Sequence, residues 1–314
     1  MVAQVDLDLN KPLDADTQST IARVAMKPSL ALLALTLHGD YYRQLQSKCN
    51  RRIVWDPLLQ LVLVTLFVGI TAYIFRDIYQ ISDSFGEFLS LLWANKFALT
   101  NFFPALIIIG GFIGVITFTI TDEFRNMSDV MSTDEAMAKV FRFPLRIYAN
   151  ARESDMDSTL IESGSRSTDL IVYRNSPIAV ITVVPEPEKS SDKVFYAKIT
   201  GLHVRKSYAK AGLEEDLLQY AKIKALELSE KYAKDNKFNG KKIKTILLAD
   251  AYSVDPILPA LYLRNGFKVT GSSYHINSFQ REKKSEKIMK IVPLSVFYKF
   301  FSIQRLSYEL ELNE

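Results

Sequence analysis

Residues 58–75, LLQLVLVTLFVGITAYIF, and residues 102–121, FFPALIIIGGFIGVITFTIT, are two apolar runs with no charged residue in either. At about 1.5 Å per residue each reaches ~27–30 Å as a helix, the thickness of a bilayer's hydrocarbon core. A helix in lipid satisfies its own backbone hydrogen bonds, so a paired span is the natural reading. Two buried core helices are the alternative, and uncharged runs of this length argue against it.

Charge around the runs sets an orientation. Lys48, Arg51 and Arg52 crowd the amino-terminal side of the first run, and Arg125, Lys139, Arg142 and Arg146 follow the second. The 25-residue connection, 76–100, holds only Arg76 and Lys96. Basic residues collect on the cytosolic side of spans, so both termini are expected in the cytosol and the connection in the lumen. Asp122 and Glu123 reduce the asymmetry. The polar stretch near Met1 has no apolar signal core, so the first span reads as an uncleaved anchor. Within the connection, residues 88–93 (FLSLLW) suit either the membrane–water interface or a helix packed against the spans. Gly110 and Gly114, with Gly111 between them, would let another helix approach closely.

Composition excludes several classes. A single cysteine, Cys49, rules out an intrachain disulfide framework. His38, His203 and His275 lie too far apart in sequence to suggest a zinc site or a Cys–His nucleophile pair. A net charge of +4 with 24% charged residues does not suggest nucleic-acid binding. No metal and no cofactor are expected.

The organisation read from these patterns is a flexible tail over 1–28 and a cytosolic amphipathic helix within 29–57. A membrane hairpin follows over 58–121, then an α/β domain over 141–314. In the helix, Ser29 is a candidate cap and Leu30, Leu33, Leu37, Tyr41 and Leu45 form one stripe. Whether that stripe packs on the domain or meets a partner stays open. The domain shows strands at 169–173, 178–184 and 195–204, a helix over 213–234, a strand at 245–249 and a short helix at 259–264. A final hairpin is expected between 268–277 and 287–292, across the basic loop 278–286.

Two corners of this domain resemble the GNAT acyltransferases. Residues 202–208 (LHVRKSY) and 209–214 (AKAGLE) align with that family's strand end and coenzyme A pyrophosphate turn, where the first amides of a helix hold phosphate. Residues 260–267 (ALYLRNGF) resemble the family's helix end, in which a tyrosine, here Tyr262, serves as general acid. The resemblance covers 141–293. In the first motif only Gly212 survives of the phosphate cradle, and Glu214 stands where the ligand should approach the backbone. At ~4 Å and an effective dielectric near 20, such a like-charge pair costs on the order of 4 kcal/mol. Gly212, Glu214 and Tyr262 are therefore read as vestiges of a coenzyme turn and an acid position, with no catalytic residue assigned. Structural roles are available to each: a tight turn for Gly212, a core position for Tyr262 and a helix stop for Gly266.

The whole chain resembles one fungal family, on its tail, its leucine-rich helix with HGDYY at 38–42, its two spans and its GNAT-like domain. Members are endoplasmic-reticulum packaging chaperones of the high-affinity inorganic phosphate transporter. The resemblance implies non-enzymatic work in that membrane: binding a polytopic transporter, aiding its exit, and contacting the COPII coat. The competing reading is a membrane-anchored N-acetyltransferase using acetyl-CoA.

Overall fold

The computed structural model describes residues 21–95, 97, 100, 102–150, 167–174, 176–209, 211–238, 243–279, 287–288 and 292–312. β1 (Ile21–Ala25) pairs antiparallel with β2 (Thr168–Tyr173), Ile21 opposite Tyr173 and Ala25 opposite Asp169. The chain between these two strands includes α1 (Pro28–Val54), α2 (Pro57–Ile74), α3 (Arg76–Ile81), α4 (Phe85–Ala94), α5 (Phe102–Val130), α6 (Asp134–Phe141) and α7 (Leu145–Asn150). The sheet continues through β3 (Ser176–Pro185), β4 (Val194–Val204), β5 (Lys244–Tyr252) and β6 (Lys268–Ser273). After a two-stranded piece, β7 (Lys287–Ile288) with β8 (Val292–Pro293), β9 (Arg305–Leu312) completes it. The order is β1-β2-β3-β4-β5-β9-β6, and β4 with β5 is its parallel pair. The crossover between them carries α8 (Leu213–Asp235). This is a mixed α/β architecture with two span-length apolar helices and a seven-stranded mixed sheet.

The sheet is covered on both faces. On one, Leu217, Leu218, Ala221 and Ala225 of α8 share a core with Ile181, Val183, Phe195 and Ala197. On the other, Leu37, Leu45 and Ile53 of α1 share a core with Phe124 and Met127 of α5, Phe141, Tyr148 and Val180. That double cover explains why β3 reads as a continuous apolar run without polar alternation.

The two apolar helices change character along their length. Asp56 caps α2, its carboxylate accepting from the amides of Leu58 (3.0 Å) and Leu59 (3.2 Å), with Pro57 in the first turn. Leu61, Val64, Val68 and Tyr73 of α2 and Phe103, Ile107, Val115 and Phe118 of α5 are exposed apolar side chains with no protein over them. Both helices are long and apolar enough to cross a membrane. α5 is ~43 Å long by its helical rise, longer than a hydrocarbon core. Its later residues, Ile120, Thr121, Phe124 and Met127, are buried in the α/β domain. One helix thus runs from an exposed apolar part into a part that covers the sheet.

Three expectations change. Residues 21–25 of the expected tail form β1; residues 1–20 lie outside the described residues. The hairpin over 58–121 interrupts the α/β domain rather than preceding it, because β1 and α1 already belong to the sheet and its cover. The expected final hairpin is not formed. β6 pairs with β9, Lys268 opposite Glu309, whereas β7 pairs with β8. β9 alternates Leu306, Tyr308, Leu310 and Leu312 toward the α8 core with Arg305, Ser307, Glu309 and Glu311, and this period-2 face makes it the better partner. Between the two halves of that expected hairpin, residues 280–286 lie outside the described residues.

α1 also differs in detail. Lys27 precedes the first turn without a side-chain bond, and Ser29 lies inside the helix. The buried face is Ala31, Ala34, Leu37, His38, Gly39, Tyr42, Leu45, Cys49 and Ile53. Leu30, Leu33 and Tyr41 lie at its margin, half-buried.

Candidate functional site

β4 and β5 are bonded from Val194–Lys244 to Ile199–Ala249, and there the ladder stops although the strands run on to Val204 and Tyr252. The sheet therefore opens at its centre, and α1 closes the opening. Three of its residues, one turn apart each, do so. The Tyr41 ring lies 5.7 Å from that of His203 and 6.4 Å from that of Tyr252. Gln44 Nε2 is 3.2 Å from His203 Nε2. Lys48 Nζ donates to Asp255 Oδ1 at 2.8 Å. Burial lowers the His203 imidazole to about 3, assisted by the charges of His38, Lys48 and Arg205, so at neutral pH it is an uncharged partner for Gln44.

Beside this wedge is a cavity of about 280 Å³ whose lining includes Tyr41, Lys198, Asp250, Tyr252 and Tyr262. Lys198 Nζ bonds Asp250 Oδ2 at 2.8 Å, and Ser307 Oγ donates to Asp250 Oδ1 at 3.0 Å. Burial pushes the Asp250 carboxyl up, but Lys198, Arg305 and the Ser307 hydroxyl outweigh it and hold the group below the usual range. Arg142 closes one side through Glu186 at 2.7 Å. The Tyr41 hydroxyl is buried with no hydrogen-bond partner among the described residues. The charges here neutralise one another, and no group of His, Cys, Asp and Glu among the described residues is placed to hold a metal ion.

The turn that the sequence likens to a coenzyme cradle lies at the start of α8. Gly212 adopts φ +74°, a left-handed conformation that suits glycine and lets the chain reverse into the helix. Glu214 is buried, which raises its carboxyl, and its side chain stands on the first turn of α8. A carboxylate on the first turn adds negative charge where an anion would have to approach. Asp255 raises the Glu214 carboxyl further and Lys48 lowers it, so the α1 wedge reaches the same corner. Lys210 lies outside the described residues. Tyr262 sits on α9 (Leu258–Arg264), 1% exposed, its ring 5.0 Å from Phe267 and 5.3 Å from Tyr308. Burial raises its hydroxyl above the ordinary tyrosine value, which makes it a poorer acid at neutral pH.

The fold brings these pieces together through Asn265, which donates to Glu215 Oε1 (2.8 Å) and accepts from Lys222 Nζ (2.8 Å), tying α9 to α8. Sequence reasoning missed Gln44, Lys48, His203, Asp255 and Asn265 as contacts of this region. The one available signal was HGDYY at 38–42, quoted for its likeness and not read physically. His38 Nε2 bonds Thr182 Oγ1 at 2.9 Å, Gly39 faces Ser128, and Tyr41 bridges both cores. The motif is where α1, α5 and the sheet meet.

In the membrane hairpin, a Cβ added to Gly110, Gly111 or Gly114 meets no atom within 4 Å. The hairpin holds together elsewhere: Leu59 and Leu63 of α2 pack in one cluster with Ile109, Ile113 and Ile116 of α5. The glycine face is open.

These features define an α/β protein with two helices long and apolar enough to cross a membrane, whose central sheet opening is filled by its own helix. The family model described as inorganic phosphate transporter chaperone Pho86 matches residues 3–312, and the chain belongs to that family. No curated protein sequence matches the chain. Among solved structures, it is similar to a streptothricin acetyltransferase from Bacillus anthracis at 14% identity, covering 47% of this chain and 65% of that one, with a TM-score of 0.28. An IAA acetyltransferase from Bacillus cereus gives 16% identity, 50% and 85% coverage and a TM-score of 0.29. Arabidopsis thaliana Naa50 gives 14%, 57% and 95%, and 0.31. Likenesses of this size carry no argument about what this chain does.

Proposed function

We propose that this phosphate transporter chaperone works without catalysis in the endoplasmic-reticulum membrane, with both termini cytosolic, as a cargo adaptor required for the transporter's exit. The observation that carries the reading is the α1 wedge. Tyr41, Gln44 and Lys48 occupy the opening of the sheet, and the buried Glu214 carboxylate stands on the first turn of α8, where a coenzyme's phosphates would approach. A scaffold closed in this way suits binding by its surfaces. The open Gly110–Gly114 face of α5 is the candidate contact for a transporter span, since small residues allow close backbone approach in lipid. Contact with COPII coat components falls to the cytosolic domain in this reading.

The test is the distribution of the phosphate transporter in cells lacking this chain, beside an unrelated permease. Retention of the transporter alone supports the adaptor; normal exit of both sinks it. The alternative, a membrane-anchored N-acetyltransferase using acetyl-CoA, requires the purified protein to bind that coenzyme. Calorimetry with acetyl-CoA reads this directly, and a saturable heat would favour it over the adaptor.

A further inference from the structure

We infer that the membrane-proximal base of the α/β domain is a binding surface for anionic lipid headgroups, centred on Arg51, Arg52 and Trp55. This concerns the bilayer itself and does not rest on the transporter reading. Arg51 and Arg52 occupy the last turn of α1, which ends against Trp55, and the first span begins at Pro57. The three side chains therefore stand at headgroup level. Opposite them the 253–256 loop approaches, and Lys48, Arg51, Arg52, Trp55, Val254 and Pro256 line an open notch.

The charges in the notch are unevenly matched. Asp255 is taken by Lys48 at 2.8 Å, and the Asp56 carboxylate accepts from the first amides of α2. Arg52 donates to the Ser253 carbonyl at 3.3 Å. Arg51 makes no ion pair among the described residues. Two guanidinium groups, each a planar fork suited to phosphate oxygens, thus face the notch without a carboxylate.

Apolar exposure at the same border selects a lipid over a free anion. Trp55 is 71% exposed, and an amphipathic ring of this kind belongs among headgroups. Ser253 links Arg52 to a second contact: its hydroxyl donates to the Ser302 carbonyl at 2.9 Å and accepts from the Gln304 amide at 3.0 Å. Immediately before Ser302 is α10 (Leu294–Phe300), which exposes Val296, Lys299 and Phe300. Free phosphate or an acidic protein loop would meet the arginines and leave these apolar groups in water. An anionic phospholipid covers both.

The chain has two tryptophans, Trp55 and Trp93, at opposite ends of the hairpin. The full-length Trp93→Phe protein is placed in phosphatidylcholine nanodiscs containing brominated phosphatidylserine, or brominated phosphatidylcholine at the same mole fraction. Basic residues at a charged surface enrich anionic lipid by about fivefold each. Brominated phosphatidylserine is therefore expected to quench Trp55 several-fold more strongly. The preference should vanish in Arg51→Gln/Arg52→Gln and fade in high salt. Arg51→Gln alone, at an exposed position, should lower it if the double variant does not fold. Equal quenching by the two lipids overturns the inference. So does a preference that survives both substitutions, or one of equal size at Trp93 in the Trp55→Phe protein.

Discussion

The imidazole of His38 lies 2.9 Å from the hydroxyl of Thr182, joining residues 144 apart in the chain. Thr182 in turn bonds Thr168 at 3.0 Å, so the helix that leads into the first apolar run is tied to the neighbouring strands β3 and β2 through one buried polar chain. The His38 ring stands edge-on to Phe141 at 5.5 Å and is almost wholly buried. Burial of this kind fixes the imidazole as the neutral form.

Stability should therefore fall in acid. Burial lowers His38 from 6.5 to about 4. The unfolded chain takes up a proton below about pH 6.5 and the folded chain does not until about pH 4, so the stabilising term is full above the first value and lost between them. For His38 the loss is on the order of 3 kcal/mol, and His203, lowered to about 3, adds to it. The melting temperature of the detergent-purified protein should drop across this window, less steeply in His38→Gln. A flat profile would contradict the buried neutral pair.

Gly201→Ala should destabilise the domain through the same helix. A methyl group there would fall on the His38 ring and force it off Thr182. A cost of about 2–3 kcal/mol is expected from overpacking and a broken buried bond. Combining it with His38→Ala removes the clash, so the double variant should lose less than the sum of the single ones. Strict additivity in denaturant unfolding would show that the two residues do not meet.

Lys48→Ala should be more damaging than its half-exposed position suggests. Asp255 is 3% exposed and bonds Lys48 at 2.8 Å, as well as accepting from the Ile257 amide at 3.1 Å. Removing the ammonium leaves a buried carboxylate without its counter-charge, worth about 3 kcal/mol. Lys48→Ala with Asp255→Asn should recover part of the loss. Unfolding midpoints of the three proteins decide it.

Gly110→Ile with Gly114→Ile separates folding from docking. Both positions are open, so the hairpin accepts the side chains and the melting temperature should stay within about 1 °C of wild type. Transporter exit, read by microscopy of the tagged transporter, should fall sharply if this face receives a span. Unchanged exit would move the contact elsewhere. Tyr262→Phe, by contrast, should leave exit unchanged.

Much of the α8 side of the sheet was legible because its patterns are local. The helix predicted over 213–234 is α8, with Leu217, Leu218, Ala221 and Ala225 inward, and Gly212 stands at its start as the turn motif implied. The helix end at Asn265–Gly266 is likewise a short-range signal, Gly266 having φ +85°. β1 was not legible. IARVA is too short and mixed to stand apart from a polar tail, and its partner is β2, well over a hundred residues away. The pairing of β6 with β9, Lys268 opposite Glu309, was hidden too, because a nearer candidate strand stood between them in sequence.

The sequence by itself determined the two long apolar helices, because the length and charge rules for crossing lipid are met or missed residue by residue. It also placed Gly212 at the start of a helix, where the chain needs a left-handed residue. Only the tertiary structure decided what the long helix before the first span does. Its apolar stripe fits a domain, a partner or a membrane surface equally well, since burial depends on what stands opposite and not on period. Folding set it against α5 and the opened sheet, where Tyr41, Gln44 and Lys48 meet His203, Tyr252 and Asp255. Those contacts join residues more than 150 positions apart, and no local pattern records them.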